Sequence, residues 1–180
     1  VKFKQAVSAM LLTSAIGAVH ADEVCKYMPG HITCGKGEVK KLIGNGSVTL
    51  NGTKITHKTQ VNGTLNADDV TFNSLDVSGS ATLTECKVLQ EAQIKGALKA
   101  SSSVFEQPLT VHSTTTKLID SKVNANLYIK HTDTPNQEVF LERHSEINGD
   151  IIFEDGQGKV YVRGDSKISG QVIGGNIINK

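Results

Sequence analysis

The 180-residue chain has no tryptophan, only three prolines and an aromatic content of 4%. Proteins that hold single-stranded nucleic acid stack bases on aromatic side chains, so this scarcity argues against that role. Duplex binding is disfavoured on other grounds. The 19 Lys and Arg are matched by 18 Asp and Glu and are scattered along the chain, with no basic stripe to displace counterions from phosphates. No apolar run reaches the ~20 residues needed to cross a bilayer, so no membrane span is expected. Helical spacing of apolar residues is missing over most of the length.

What is present begins with Lys2 and Lys4, an apolar stretch from Ala6 to Ala18, and the small-residue junction Val19-His20-Ala21. These read as a secretion signal over residues 1–21, with the mature chain starting at Asp22 and destined for the periplasm, cell surface or medium. Its removal takes two lysines and no acid, shifting the formal charge from +1 to −1. In an oxidising compartment Cys25 and Cys34 are close enough to close a small loop, expected as a staple within an N-terminal cap over 22–42. Cys86 is left over. It is expected as a buried unpaired thiol, since Cys often serves as a small apolar core residue, the alternative being a link to a second chain.

A short phrase recurs after the cap: Val61-Asn-Gly-Thr-Leu65, Val77-Ser-Gly-Ser-Ala81, Ile94-Lys-Gly-Ala-Leu98, Val123-Asn-Ala-Asn-Leu127, Ile147-Asn-Gly-Asp-Ile151 and Ile168-Ser-Gly-Gln-Val172. Between the first copies lie two further apolar clusters per repeat, such as Val70-Thr-Phe72 and Leu75-Asp-Val77, each alternating in and out with the period of a strand. Strands this short bury too little to stand alone, but stacked coil on coil they share one apolar shaft. The expected fold is all-β: a single-stranded, parallel, right-handed β-helix solenoid over 43–180, with three short strands per coil. Gly63, Gly79, Gly96, Gly149 and Gly170 are expected at one repeated corner. Val48-Thr-Leu50 and Lys54-Ile-Thr56 look like an irregular first coil.

Departures from the beat mark loops. Val123 to Ile147 is long, with its excess in Lys130-His-Thr-Asp-Thr-Pro-Asn-Gln137, and solenoids usually put binding on such excursions. Lys130, His131, Asp133 and Asn136 are the candidate binding residues; His131 and Asp133 could approach His112 or Arg143 across coils. A smaller excess surrounds Asp155-Gly-Gln-Gly158. Val111 to Val123 is short, with Thr114-Thr-Thr116 where an apolar cluster should be. No cap is evident after Gly174, so the last coil is expected to meet another chain, as a homo-oligomer through the C-terminal coil, or to fold back on itself.

Other motifs have plain readings. Gly30-His-Ile-Thr-Cys-Gly35-Lys36-Gly37 approaches a phosphate loop but has glycine at the hydroxyl position and no helix pattern after it. Arg163-Gly-Asp165, a tripeptide some adhesive proteins show to integrins, falls where a corner is expected. Asp68-Asp69 and Glu154-Asp155 read as soluble turn residues. The histidines show no spacing of a closed metal site, and no catalytic set, metal or cofactor is expected.

The rhythm Leu75-Asp-Val-Ser-Gly-Ser-Ala-Thr-Leu83, preceded by Val61-Asn-Gly-Thr-Leu-Asn-Ala-Asp-Asp-Val70, resembles the putative auto-transporter adhesin head domain known as the GIN domain. That resemblance implies a right-handed β-helix on an exported bacterial protein. The stacking is also similar to that of bactofilins, which polymerise end to end. The function expected first is a non-catalytic, exported, adhesin-like binding or scaffolding module, whose partner is a glycan or a protein surface. The alternatives are a polysaccharide lyase or hydrolase built on a β-helix, and an end-to-end polymer.

Overall fold

The computed structural model describes residues 23–179; the expected export signal over 1–21 lies outside them. The described chain is a parallel β-solenoid of about nine turns with no helix. Its three walls follow from the alternation of Val, Ile, Leu and Thr with polar residues. The first wall runs from Gly37–Val39 through Lys87–Val88 and Val104–Phe105 to Lys167–Ile168. The second includes Ala92–Lys95, Leu109–His112, Leu127–Ile129 and Ile151–Phe153. The third runs from His31–Cys34 through Leu98–Ser101, Thr115–Ile119 and Glu138–Glu142 to Gly158–Val162 and Gly175–Asn179.

Register is kept like on like. In the second wall Val61 pairs with Val77, Val77 with Ile94, Ile94 with Val111, Val111 with Ile129 and Ile129 with Phe153. Every one of these side chains points inward and is buried. Parallel pairing satisfies the backbone between coils while apolar stacks exclude water, so each coil stabilises the next. Of the segments expected to be irregular, Val48-Thr-Leu50 is a regular rung of the third wall, whereas Lys54-Ile-Thr56 pairs in the first wall up to Ile55 and then shifts register before Lys58. The irregularity therefore lies at the turn after Ile55 and not in the Val48–Leu50 rung.

One strand departs from parallel order. Cys25–Met28 pairs antiparallel with His31–Cys34, and Cys25 and Cys34 are register partners joined by a disulfide at the base of this hairpin. The hairpin covers the starting edge of the third wall and blunts it against strand addition. At the other end of the described residues the inward Ile177, the register partner of Val160, is half exposed. The phosphate-loop-like run 30–37 is turn and strand leading directly into the first wall.

The recurring phrase does not mark one corner, as expected, but two. Gly63, Gly79 and Gly96 turn the chain from the second wall to the third, with φ of 138°, 140° and 141°. A Cβ on any of them would strike the carbonyl of the glycine one coil below. Gly149 and Gly170 instead turn the chain from the first wall to the second and do not adopt positive φ. The correction also removes the short coil. Val111 and Val123 belong to different walls, the step from Val111 to its true partner is Ile129, and Thr116 fills an inward third-wall position between Leu98 and Val139.

The third corner, from third wall back to first, is held by hydroxyls. Each serine accepts the amide of the residue one coil below: Cys86 N–H to Ser103 Oγ, Ser103 N–H to Ser121 Oγ, Ser121 N–H to Ser145 Oγ and Ser145 N–H to Ser166 Oγ. Cys86 heads this column. It is free and buried, its thiol donates to the Ala67 and Thr84 carbonyls, and burial raises its pKa to about 11. A thiol so placed is an unreactive core group.

Two stability outcomes follow. Gly79→Ala forces a side chain into a left-handed corner and should cost about 3 kcal/mol or more in urea unfolding, against less than about 0.5 kcal/mol for exposed Ser78→Ala. Thr116→Val replaces a buried hydroxyl that has no hydrogen-bond partner and should stabilise by about 1 kcal/mol. Equal effects of the two substitutions at 78 and 79, or destabilisation by the valine, would contradict this packing.

Candidate functional site

The 130–137 excursion lies at the glycine corner between the second and third walls, and the ladder closes on both sides of it. Lys130 N–H donates to Val111 O, and Glu138 N–H to Thr114 O. In the coil below, only two residues separate these acceptors, so the loop leaves and rejoins the stack at nearly the same place. The rung beneath it supports the crossing, since Thr115–Ile119 pairs with Glu138–Glu142 in unbroken register. One coil above, the smaller excess at 154–157 stacks on the same corner: Glu154 N–H donates to Ile129 O and Lys159 N–H to Gln137 O. The two excesses noted in the sequence are therefore neighbours.

A buried amide locks the loop. Gln137 is 3% exposed, and its Nε2 donates to Ser113 O at 3.0 Å and Lys130 O at 2.6 Å. One side chain thereby ties the end of the loop to its own start and to the coil below. Asn136 just before it takes a positive φ of 62°, a conformation asparagine tolerates better than most residues. Above, Phe153 packs its ring against Gly158 and Gly175, where any Cβ would collide with it. That packing gives the upper turn a solid floor.

The charged groups of the loop are mostly paired. His131 Nδ1 lies 2.8 Å from Asp155 Oδ1, and the His131 amide donates to Glu154 Oε2 at 2.7 Å. Lys130 Nζ stands 3.8 Å from Glu154 Oε1. The hydrogen bond to Asp155 is the main cause raising the His131 pKa above its ordinary value, with Asp155, Asp133 and Glu154 charges adding to it. The loop, Asp155 and Gln157 enclose an open recess of about 400 Å³ lined by His131, Thr132, Asp133, Asn136, Gln137 and Pro135.

Of the four residues singled out from sequence, His131, Asp133 and Asn136 line this recess, and Lys130 braces its rim through Glu154. Neither His112 nor Arg143 joins them by hydrogen bond or ion pair. Arg143 and His144 bind Asp120 at a different corner, each at 3.2 Å, and His144 also reaches Asp165 at 3.3 Å. The His144 hydrogen bond is the leading cause holding the Asp120 carboxyl below its ordinary pKa. This places Arg163-Gly-Asp165 at the third-to-first corner, with Gly164 at φ 63° and Arg163 near Glu142, Phe140 and Tyr161.

Gln137 and Gln157 were not singled out from sequence, and Glu154-Asp155 were read only as soluble turn residues. The signal was available: a 24-residue step carries His131 onto Asp155. Reading it required the register across the loop, which the repeat phrase had blurred by changing corners. Among the described residues no cluster of His, Cys, Asp and Glu is arranged to hold a metal ion. No family model, curated protein or solved structure matches the chain.

Two outcomes test the site's geometry. The His131 pKa measured by NMR should lie above about 6.5 and fall in Asp155→Asn. Because the folded value is raised, this pair stabilises the protein below about pH 6.5, and the contribution disappears as pH rises through the folded pKa. Gln137→Ala should cost about 1–3 kcal/mol and open 131–136 to limited proteolysis, with other corners uncut. An unchanged His131 titration, or a loop equally resistant without Gln137, would contradict the bracing described.

Proposed function

We propose that the chain is an exported, non-catalytic β-solenoid that serves as an adhesin-like binding module, its ligand seated at the 131–136 recess and the rest of the stack acting as a rigid spacer. One observation carries this. The largest departure from the coil period has been accommodated without breaking the ladder, and its end is pinned by a buried glutamine. A fixed polar recess on an otherwise even body loses little entropy on binding, which is what recognition requires. Such loops on rigid scaffolds are the usual place for it.

The Cys25–Cys34 disulfide supports export to an oxidising compartment. The hydrogen bonding at the recess favours binding over cleavage. Glycoside hydrolysis uses two carboxyls flanking the scissile bond. Here the carboxyls lining the recess are Asp133 and Asp155, and Asp155 is engaged by His131 of the loop itself, as Glu154 outside the lining is by the His131 amide.

The test replaces 131–136 by a Gly-Ser linker of equal length and compares both proteins on a glycan array and against surface proteins, with reducing-end release followed in parallel. The parent should capture a ligand, the replacement should lose it while unfolding at nearly the same temperature, and no reducing ends should appear. Capture that survives loop replacement, or release of reducing ends, would overturn the proposal.

A further inference from the structure

We infer that the recess is a saccharide subsite selecting neutral, hydroxyl-rich ligands over anionic ones, an inference that rests on the binding role proposed above and names its ligand class. The recess, about 400 Å³, falls within the range of small-ligand sites. Its lining sorts the candidates. No ammonium or guanidinium group is among the lining residues, while Asp133 and Asp155 are. Lys130, the nearest cation on the loop, is directed to Glu154. A phosphate, sulfate or uronate would therefore meet the Asp133 and Asp155 carboxylates, with His131, the one lining group able to carry positive charge, already paired to Asp155.

An apolar ligand gains little, because Pro135 is the one apolar side chain of the lining. An amine would satisfy the carboxylates but could not accept hydrogen bonds from the Asn136 and Gln157 amides or from His131. Hydroxyls both donate and accept. Asp155 commits Oδ1 to His131, which leaves its Oδ2 and the Asp133 carboxylate to accept from ligand hydroxyls, while the two amides can donate to ring and hydroxyl oxygens. Mixed acceptors and donors at the mouth of a rigid turn, and few apolar groups, suit a neutral sugar residue at the end or edge of a glycan.

The stacked aromatic pair on the third wall does not compete for this role. Phe140 and Tyr161 lie 4.7 Å apart and nearly parallel, each ring covering a face of the other, with Arg163 beside both. The pair is a cross-coil ladder within the wall and offers no open two-ring platform for a sugar.

The experiment titrates isotope-labelled mature protein by NMR with four probes: neutral oligosaccharides of several linkages, the same series carrying a uronate, spermidine, and inorganic phosphate. At least one neutral oligosaccharide should shift amides of 131–137 and 154–157, with its uronate-bearing counterpart at least about tenfold weaker, a difference of about 1.4 kcal/mol. Asp133→Asn should narrow that discrimination severalfold with an unchanged unfolding midpoint, and Asn136→Gly, which removes the amide but accepts the positive φ of 62°, should weaken the neutral sugar. Tighter binding of uronate, phosphate or spermidine, or no neutral sugar bound at millimolar concentration, would overturn the inference. If the loop-replaced protein then still loses capture of a non-saccharide partner, the binding role stands and only its ligand class falls. If capture is indifferent to the loop, both fall.

Discussion

Everything in this molecule depends on coils that stack in lateral register, backbone to backbone outside and apolar side chain to apolar side chain within. Either half alone would fail. A single short wall segment cannot offset the entropy of ordering it, and an apolar shaft without paired amides would bury unsatisfied backbone. Because the pairing is between like positions, each corner becomes a column in its own right. One column is glycine, set by a close carbonyl. Another is serine, set by amides that would otherwise lack a partner at the turn.

Much of this was legible in the sequence. The in–out alternation identified the inward Val, Ile and Leu, and the repeat gave parallel stacking and three walls. The stapled start was legible from the cysteine spacing read together with the expected export signal. The assignment of corners was not, because the same composition, apolar–polar–small–polar–apolar, serves at two of them: Val61 to Leu65 spans second to third wall, and Val123 to Leu127 spans first to second. Thr116 looked like a gap for a related reason. Threonine suits a strand, and its hydroxyl gives no hint in sequence that it will be turned inward.

The candidate site was half legible for the same physical reason. An excursion with proline and polar residues announces itself, which is why His131, Asp133 and Asn136, now lining the recess, drew notice in the sequence. Their partners lie one coil away, and a solenoid brings residue i to residue i plus one coil length, whatever that length has become locally. Only the register shows that two separate excesses, 130–137 and 154–157, rise from one corner and face each other. Gln137 was hidden more deeply: a glutamine at the end of a polar loop looks like solvent-facing filler, and its burial is decided by the carbonyls of Ser113 and Lys130. That anchor distinguishes a formed recess from a slack insertion, and the functional proposal draws on it.

Residue-resolved amide hydrogen exchange across the long coil puts the central claim at greatest risk. If the loop is expelled from an intact ladder, the amides of Lys130 and Glu138, bonded to Val111 and Thr114, should exchange as slowly as those of neighbouring coils, while 132–136 exchange fast. Rapid exchange throughout 127–147 would mean that the insertion breaks the stack, and with it the fixed recess on which the functional account stands.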